Sequence, residues 1–136
     1  MKINYKIRYS SHPEDVKHYD TAKLREHFVV DKIFEKDEIN LVYSHFDRFI
    51  VGGAFPVNEK IVLEAIDPIR SAYFTERREL GIINVGGKGR ITVDSQVFEL
   101  EYKEALYIGR GNKNIVFESF SVKEPAKFYI NSANAH

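Results

Sequence analysis

Short stretches rich in Val, Ile, Phe and Tyr follow one another along most of the chain, and Gly, Asn, Asp and Pro separate them. From residue 28 onward this pattern is typical of an all-β sandwich or barrel, because β-branched and aromatic residues favour strands and small polar residues favour turns. The predicted strands lie near residues 28–34, 38–46, 48–55, 60–66, 71–78, 80–85, 89–94, 96–101, 104–108, 114–120 and 126–131.

The clearest single element is a hairpin over residues 89–100. Apolar Ile91 and Val93 alternate with Arg90 and Thr92, so the two pairs are expected on opposite faces of one strand. The Asp-Ser pair that follows is predicted to form the turn.

The amino-terminal part of the chain has a different pattern. Its first twenty residues are polar and rich in turn formers, which indicates an arm lying on the surface or on a partner subunit. Thr21 could cap a short helix that runs to His27, since its hydroxyl can satisfy a free amide of the first turn. We therefore divide the chain into an arm with at most one short helix, residues 1–27, and a β domain, residues 28–136.

Two glycine clusters lie between predicted strands, at residues 86–89 and 108–111. A phosphate-binding loop would have to open a helix, whereas the residues that follow the first cluster favour a strand. Both clusters are therefore predicted to be turns, with glycines that tolerate positive φ, and neither indicates a nucleotide site.

Composition mainly excludes classes of function. The 136 residues fit one domain, and the balance of 20 Lys and Arg against 20 Asp and Glu gives no reason to expect nucleic acid or a membrane surface. The lack of Cys excludes a disulfide framework, a thiolate zinc site and a Cys nucleophile. We expect a cytoplasmic location, because neither a signal-peptide core nor a run of ~18 apolar residues occurs.

Six strings in order along the chain carry a resemblance that covers about residues 21–136. They are residues 43–48 (YSHFDR), 51–53 (VGG), 73–89 (YFTERRELGIINVGGKG), 91–94 (ITVD), 105–109 (ALYIG) and 125–129 (PAKFY). Together they resemble the amino-terminal part of the 5-keto-4-deoxyuronate isomerases, also called 4-deoxy-L-threo-5-hexosulose-uronate ketol-isomerases.

The resemblance implies a cupin-like antiparallel jelly roll, which agrees with the strand pattern. It also implies that a family member is about twice this long, with two cupin-like halves, zinc bound by the second half, and assembly into a homo-hexamer. The implied reaction interconverts 5-dehydro-4-deoxy-D-glucuronate and 3-deoxy-D-glycero-2,5-hexodiulosonate in the degradation of pectin and other polyuronates. The expected partners are a sugar-acid substrate, the C-terminal cupin half and further copies of the protein.

A cupin metal site usually takes two His with one residue between them, a Glu a few residues later and a third His from a later hairpin. The corresponding residues in this chain are Tyr73, Thr75, Glu79 and Asn114. Transition metals prefer imidazole or carboxylate to a neutral hydroxyl or amide. We therefore expect a degenerate cupin pocket without a metal here, and zinc only in the second half.

Two further residues are candidates for contact with substrate. His45 has Asp47 two positions on, so it could touch substrate or serve as a structural residue bonded to a neighbouring carboxylate or carbonyl. Arg77, within Glu76-Arg-Arg-Glu79, could bind a uronate carboxylate through two parallel bonds. The same alternation of charge also suits cross-strand or intersubunit ion pairs.

Ketol isomerisation needs a base near the acidic C–H, a donor that returns the proton, and a group, such as a Lewis-acid metal, that stabilises the enediolate. No constellation for all three emerges from the sequence, so no catalytic residue is assigned, and the main hypothesis is a structural half that is inactive alone. One alternative is a stand-alone, non-enzymatic cupin that binds a sugar acid or serves as an oligomerisation module. Another is an independent metal enzyme that uses His45 and carboxylates.

Overall fold

Two β-sheets pack face to face in the computed structural model, which describes residues 2–136, so Met1 of the predicted arm lies outside the described residues. In chain order the elements are β1 (Lys2–Arg8), α1 (Pro13–Val16), α2 (Thr21–Phe28), β2 (Glu38–Ser44), β3 (Ile50–Ala54), β4 (Ile61–Val62), a 3₁₀ turn (Asp67–Ile69), β5 (Arg78–Asn84), β6 (Gly89–Val93), β7 (Gln96–Leu100), β8 (Ala105–Ile108), β9 (Ile115–Ser119) and β10 (Phe128–Asn134).

The larger sheet has the strand order β1-β2-β3-β10-β5-β8, and the smaller sheet has the order β4-β9-β6-β7. Neighbouring strands are antiparallel except β1 and β2, which run parallel. The last strand, β10, lies between β3 and β5 and pairs with both of them. The predicted all-β class with antiparallel sheets is confirmed.

The hydrophobic core lies between the two sheets, because alternate residues of each strand face inwards. In β2 the inward residues are Ile39, Leu41 and Tyr43, and all three are buried. Phe117 of the smaller sheet and Phe128 of the larger sheet meet in the centre, with ring centroids 5.4 Å apart. Full burial of one Phe side chain stabilises the fold by about 1.5–3 kcal/mol. The centre of the space between the sheets is therefore occupied by aromatic side chains.

The predicted hairpin is confirmed by β6 and β7, which pair from Gly89 opposite Leu100 to Val93 opposite Gln96. Ile91 is buried like Val93, while Arg90 and Thr92 are only half-buried on the opposite face. The turn begins at Asp94, whose φ is +54°. The alternation in the sequence therefore gave the correct strand faces.

Both glycine clusters connect strands, as predicted, but the first needs glycine for another reason. Among the glycines of residues 2–136, only Gly111 has a positive φ, at +94°. A Cβ atom added to Gly87 would lie 2.0 Å from the carbonyl oxygen of Glu124. The close approach of another backbone, not left-handed geometry, requires glycine in the β5–β6 connection.

Two predicted strands, over residues 28–34 and 71–78, are wrong except that Arg78 begins β5. Helix α2 extends to Phe28, and the following residues cross the outer face of the larger sheet without joining it. An added Cβ on Gly53 of β3 would lie 2.6 Å from the Phe34 ring, which shows how closely this segment packs on the sheet. Tertiary packing, not strand pairing, places its apolar residues.

The beginning of the chain is more regular than the sequence predicted. Residues 2–8, expected to belong to a turn-rich arm, form an edge strand whose pairs run from Lys2 opposite Glu38 to Arg8 opposite Ser44. The division of the chain at residues 27 and 28 stays a prediction.

Two short helices follow β1, so the expectation of at most one is wrong. Helix α1 begins after His12, whose Nδ1 accepts a hydrogen bond from the Glu14 amide at 3.0 Å. Helix α2 is capped by Asp20 rather than by Thr21, because the Asp20 carboxylate accepts from the Lys23 amide at 2.9 Å. No helix within residues 2–136 has the length and apolar character needed to cross a bilayer.

Candidate functional site

The loop before β5 carries the first two residues of the predicted cupin pocket. Thr75 is fully buried, its hydroxyl donates to the Asn112 carbonyl, and its own carbonyl accepts from the Gly111 amide at 2.7 Å. Tyr73 is half-buried, and Lys113 Nζ lies 6.0 Å from its ring centroid. The structure thus brings Tyr73 and Thr75 together beside the connection between β8 and β9.

Asn114 lies at the end of that same connection, but its side chain is exposed. Its amide donates to Asp94 Oδ1 at 3.0 Å, and its carbonyl accepts from the Asp94 amide at 2.7 Å. These bonds anchor Asn114 to the β6–β7 turn rather than to Thr75.

Glu79 lies on the outer face of the larger sheet, because its neighbours Arg78 and Leu80 are buried on the inner face. Its carboxylate accepts a hydrogen bond from the Tyr107 hydroxyl at 2.9 Å. This hydrogen bond raises the pKa of Tyr107, and burial and the Glu79 charge act in the same direction. The side chain of Glu79 is therefore bonded to Tyr107 of β8 on the outer face and not to another residue of the predicted pocket.

His45 lies in the connection between β2 and β3, where it is exposed. Its ring stacks on Tyr9, with centroids 4.7 Å apart, and meets the edge of Tyr43 at 5.5 Å. Within residues 2–136 the ring has aromatic neighbours and no hydrogen-bonded carboxylate or carbonyl. Contact between His45 and a substrate stays a prediction.

Arg77 closes the loop that follows the 3₁₀ turn. Its Nη2 donates to the carbonyls of Ile69 at 3.2 Å and Arg70 at 2.6 Å, and to Ser71 Oγ at 3.1 Å. Neither Arg77 nor Arg78 forms an ion pair with any residue among 2–136, so the structure contains no cross-strand ion pair at these arginines. Intersubunit ion pairs stay a prediction. Binding of a substrate carboxylate by Arg77 stays a prediction.

Arg78 is the polar residue whose role the sequence did not indicate. It is only 3% exposed, and its guanidinium donates to Ser132 Oγ at 3.0 Å, the Ser132 carbonyl at 3.0 Å, Asn134 Oδ1 at 2.9 Å and the Arg48 carbonyl. Burial lowers the pKa of Arg78, Tyr43 opposes this effect, and Arg48 adds to it. A guanidinium keeps its proton in proteins, so a buried charge is held here by neutral acceptors.

The four buried polar residues within 2–136 are Thr75, Arg78, Asn84 and Ser132. Asn84 donates to the carbonyls of Gly87 at 2.8 Å and Leu100 at 3.0 Å, and the side chain of Ser132 donates to the Glu79 carbonyl at 2.7 Å. All four are therefore bonded to protein groups that position loops or strands. None offers a free catalytic group inside the barrel.

The predicted pocket also does not fit zinc. Nowhere in residues 2–136 do three or more His, Cys, Asp or Glu side chains lie together in a way that could hold a metal ion. The Thr75 hydroxyl already donates to a carbonyl, and Glu79 already accepts from Tyr107. Because zinc takes imidazole, thiolate or carboxylate ligands, we assign no step through a metal to these residues.

A cavity of about 280 Å³ lies elsewhere, between strands β1 and β2 and the segment that crosses them. Three basic side chains, Lys6, Arg8 and Lys32, and two acidic ones, Asp31 and Glu35, line it. The sequence did not indicate this cavity, because β1 was not predicted.

Similarity to solved structures identifies the fold as a cupin. The cupin domain of Schizosaccharomyces pombe Cnp3 matches 69% of this chain and 61% of its own, with a TM-score of 0.52 and 17% identity. The cupin domain of an XRE-family transcriptional regulator from Enterobacter cloacae matches 69% of this chain and 90% of its own, with a TM-score of 0.54 and 9% identity. The predicted cupin-like fold is confirmed.

No family model matches the chain, but curated proteins do. The 4-deoxy-L-threo-5-hexosulose-uronate ketol-isomerase 1 of Bacteroides thetaiotaomicron is 56% identical over 136 residues, which are 100% of this chain and 49% of that protein. The ketol-isomerase of Lachnoclostridium phytofermentans is 57% identical over 130 residues, 96% of this chain and 47% of that protein. The chain spans about half the length of the curated relatives that it matches.

Proposed function

Because the chain is homologous over its whole length to the amino-terminal half of the 4-deoxy-L-threo-5-hexosulose-uronate ketol-isomerases, we propose that it forms the structural, non-metal half of such an enzyme. The complete protein would interconvert 5-dehydro-4-deoxy-D-glucuronate and 3-deoxy-D-glycero-2,5-hexodiulosonate during the degradation of pectin or other polyuronates. In this proposal the chain is inactive alone.

The packing of the barrel interior carries this proposal. Ile50, Leu80, Ile82, Ile91 and Ile130 are all buried between the sheets, at 0–1% exposure. Isomerisation needs a base, a proton donor and a stabiliser of negative charge around one substrate. A barrel filled in this way supports a scaffolding role and leaves the catalytic groups to another part of the protein.

The second half is proposed to supply the zinc ligands, since the residues of this chain do not fit zinc. Assembly into a homo-hexamer belongs to the same proposal, and light scattering on the complete protein would measure it. A cytoplasmic location stays a prediction of the sequence.

A chimera tests the proposal directly. Residues 1–136 of this chain would replace the matching half of the Bacteroides thetaiotaomicron isomerase, and turnover of the ketouronate would be followed with zinc present. We expect a chimera with activity of the same order as the parent enzyme. The isolated chain, assayed in parallel with and without zinc, is expected to give no turnover and to retain no zinc after dialysis.

Each of the two assays has its own outcome that would contradict the proposal. A folded chimera without activity would contradict the structural-half role in an isomerase. Turnover by the isolated chain at a rate near that of the parent would show instead that this half carries its own active site.

A stand-alone sugar-acid-binding cupin is the second candidate, and the cavity beside β1 favours it. Lys6 and Arg8 line that cavity and could pair with a carboxylate. Calorimetry with D-gluconate, and with sorbitol as its uncharged counterpart, tests this function. Saturable binding of gluconate alone that is weakened by Lys6→Gln, but not by Lys60→Gln on the surface, would support it; equal heats for both compounds would exclude it.

A further inference from the structure

An exposed aromatic surface lies on the outer face of the larger sheet. Phe28 from the end of α2 is 49% exposed, and Phe46 and Phe49 from the β2–β3 connection are 46% and 38% exposed. With Val51 of β3 they line a groove of about 220 Å³. We call Phe28, Phe46, Phe49 and Val51 the aromatic surface. Contiguous apolar side chains of this size mark an interaction site more often than single exposed ones do.

The turn that carries two of these residues is held in one conformation. Asp47 and Arg48, at its centre, both have φ of +55°, which is the left-handed geometry of a type I′ turn. The Phe49 amide donates to the Phe46 carbonyl at 3.2 Å, and buried Arg78 donates to the Arg48 carbonyl. A rigid turn loses little conformational entropy on binding, so its two phenyl rings are suited to anchor a partner.

The last strand ends beside this turn. Asn134, the final residue of β10, accepts from the same Arg78 guanidinium that donates to the Arg48 carbonyl. Ser132 of β10 pairs with Ile50, the first residue of the strand that follows the turn. A polypeptide that continued beyond residue 136 would therefore start close to the aromatic surface.

From these observations we propose that the aromatic surface is the face on which the second half of the ketol-isomerase packs. This inference rests on the proposed function, since the occupant is the half that the relatives contain beyond the matched region. Because the continuation would leave β10 beside the surface, the tether would give the second half a high effective concentration there. A second copy of this half would have no such tether.

The charges at the rim define the chemistry of the contact. Arg8 lines the groove and Arg48 lies in the turn, and neither has an acidic partner among residues 2–136. The contacting face of the second half is therefore expected to present apolar side chains at its centre and carboxylates at its edge.

Hydroxyl-radical footprinting of side chains tests the inference. Oxidation of Phe28, Phe46 and Phe49 would be compared between the isolated chain and the chimera described above. We expect oxidation of all three to fall several-fold in the chimera. Phe120 and Tyr102, which are exposed elsewhere at 44% and 61%, serve as controls and should react equally in both proteins.

Substitution provides a second measurement. In the chimera, Phe46→Ser with Phe49→Ser should restore oxidation of Phe28, whereas Phe120→Ser should not. The same double variant of the isolated chain should keep its melting temperature, because both side chains are exposed there. If that variant fails to fold, the footprints of the unsubstituted proteins decide alone.

The outcomes separate this inference from the proposed function. Equal oxidation in the two proteins would overturn the docking surface even if the chimera is active. Protection in an inactive chimera would support the surface and count against the isomerase role. Protection that appears in the isolated chain as its concentration rises would overturn the inference in favour of contact between copies.

Discussion

Arg78 of β5 donates a hydrogen bond through Nη2 to the main-chain carbonyl of Arg48, a residue that lies 30 positions earlier in the chain. The acceptor belongs to the β2–β3 turn. One buried side chain of β5 therefore reaches past β10 and is bonded to the turn that precedes β3. The left-handed conformation of Arg48 is unfavourable by roughly 1–2 kcal/mol for a residue with a Cβ atom. The guanidinium helps to offset that strain.

Replacement of this arginine should therefore destabilise the protein strongly. Arg78→Met removes every donor of the guanidinium, so the two buried oxygens of Ser132 and the side-chain oxygen of Asn134 lose the hydrogen bonds that they accept from it. We expect the free energy of unfolding to fall by about 2–4 kcal/mol. Urea denaturation followed by circular dichroism measures the change.

Arg78→Lys separates charge from geometry, because lysine keeps the charge but not the planar array of donors. It should lose most of the same stability. Arg110→Met, on an exposed loop, is the matched control and should change stability by less than about 0.5 kcal/mol. If Arg78→Met lowered the free energy of unfolding by no more than this control does, the buried hydrogen bonds would not stabilise the turn.

Asp37 should make stability depend on pH in the acid range. Burial raises the pKa of its carboxyl, but hydrogen bonds from the Asn58 side chain and the amides of Val57, Asn58 and Glu59 lower it by more. A carboxyl with a lowered native pKa stabilises the fold above its unfolded pKa, and this contribution is lost as pH falls through the native pKa. Asp37→Asn, which tolerates the φ of +60°, should therefore be less stable than the parent at neutral pH and equal to it in strong acid.

Chemical denaturation at a series of pH values between about 7 and about 2.5 measures the difference. Glu64→Gln, at an exposed position, is the matched control for removal of a carboxylate. A constant difference between parent and Asp37→Asn across this range would mean that the ionised carboxylate is not the stabilising species.

The hydrogen bond between Tyr107 and Glu79 should be visible in the titration of the phenol. Because that bond holds the phenolic proton and raises the pKa, Glu79→Gln should lower the pKa of Tyr107. Carbon NMR of labelled tyrosine resolves this residue from the other seven. Glu101→Gln should leave the Tyr107 titration unchanged, and an unchanged titration in Glu79→Gln would rule out the bond in solution.

Three glycine-to-alanine substitutions should differ in a predictable order. Gly87→Ala places a Cβ 2.0 Å from a backbone oxygen and should destabilise by about 2–3 kcal/mol. Gly111→Ala meets no atom within 4 Å but carries a positive φ, so about 1 kcal/mol is expected. Gly109→Ala meets only the Tyr107 ring at 3.9 Å and should be nearly neutral. Thermal denaturation ranks the three, and a neutral Gly87→Ala would contradict the close approach.

Elements whose faces differ in polarity were predictable from the sequence. The β6–β7 hairpin is one example, because Ile91 and Val93 are buried by the same alternation that marks them along the chain. The same alternation exists in residues 2–8, where Ile3, Tyr5 and Ile7 alternate with polar residues, and it could have indicated β1. We did not predict β1 because the polar, turn-forming residues that follow it led us to interpret the first twenty residues as one arm.

Residues whose place depends on tertiary contacts were not predictable in this way. The apolar stretch after Phe28 has strand composition, yet it packs across another sheet without pairing. Arg78 alternates with buried Leu80 and Ile82, so its position on the inner face was readable, but its acceptors come from strands distant in sequence. The outward position of Glu79 follows from that same alternation.

The central position of β10 has a consequence for biosynthesis. Strands β1 to β3 and strands β5 and β8 are paired into one sheet only through β10, so the ribosome must release residues 128–134 before the larger sheet can form. Until then the inner faces of both groups of strands stay open, which exposes the nascent chain to aggregation. A truncation that removes β10 should therefore yield insoluble protein rather than a smaller folded barrel.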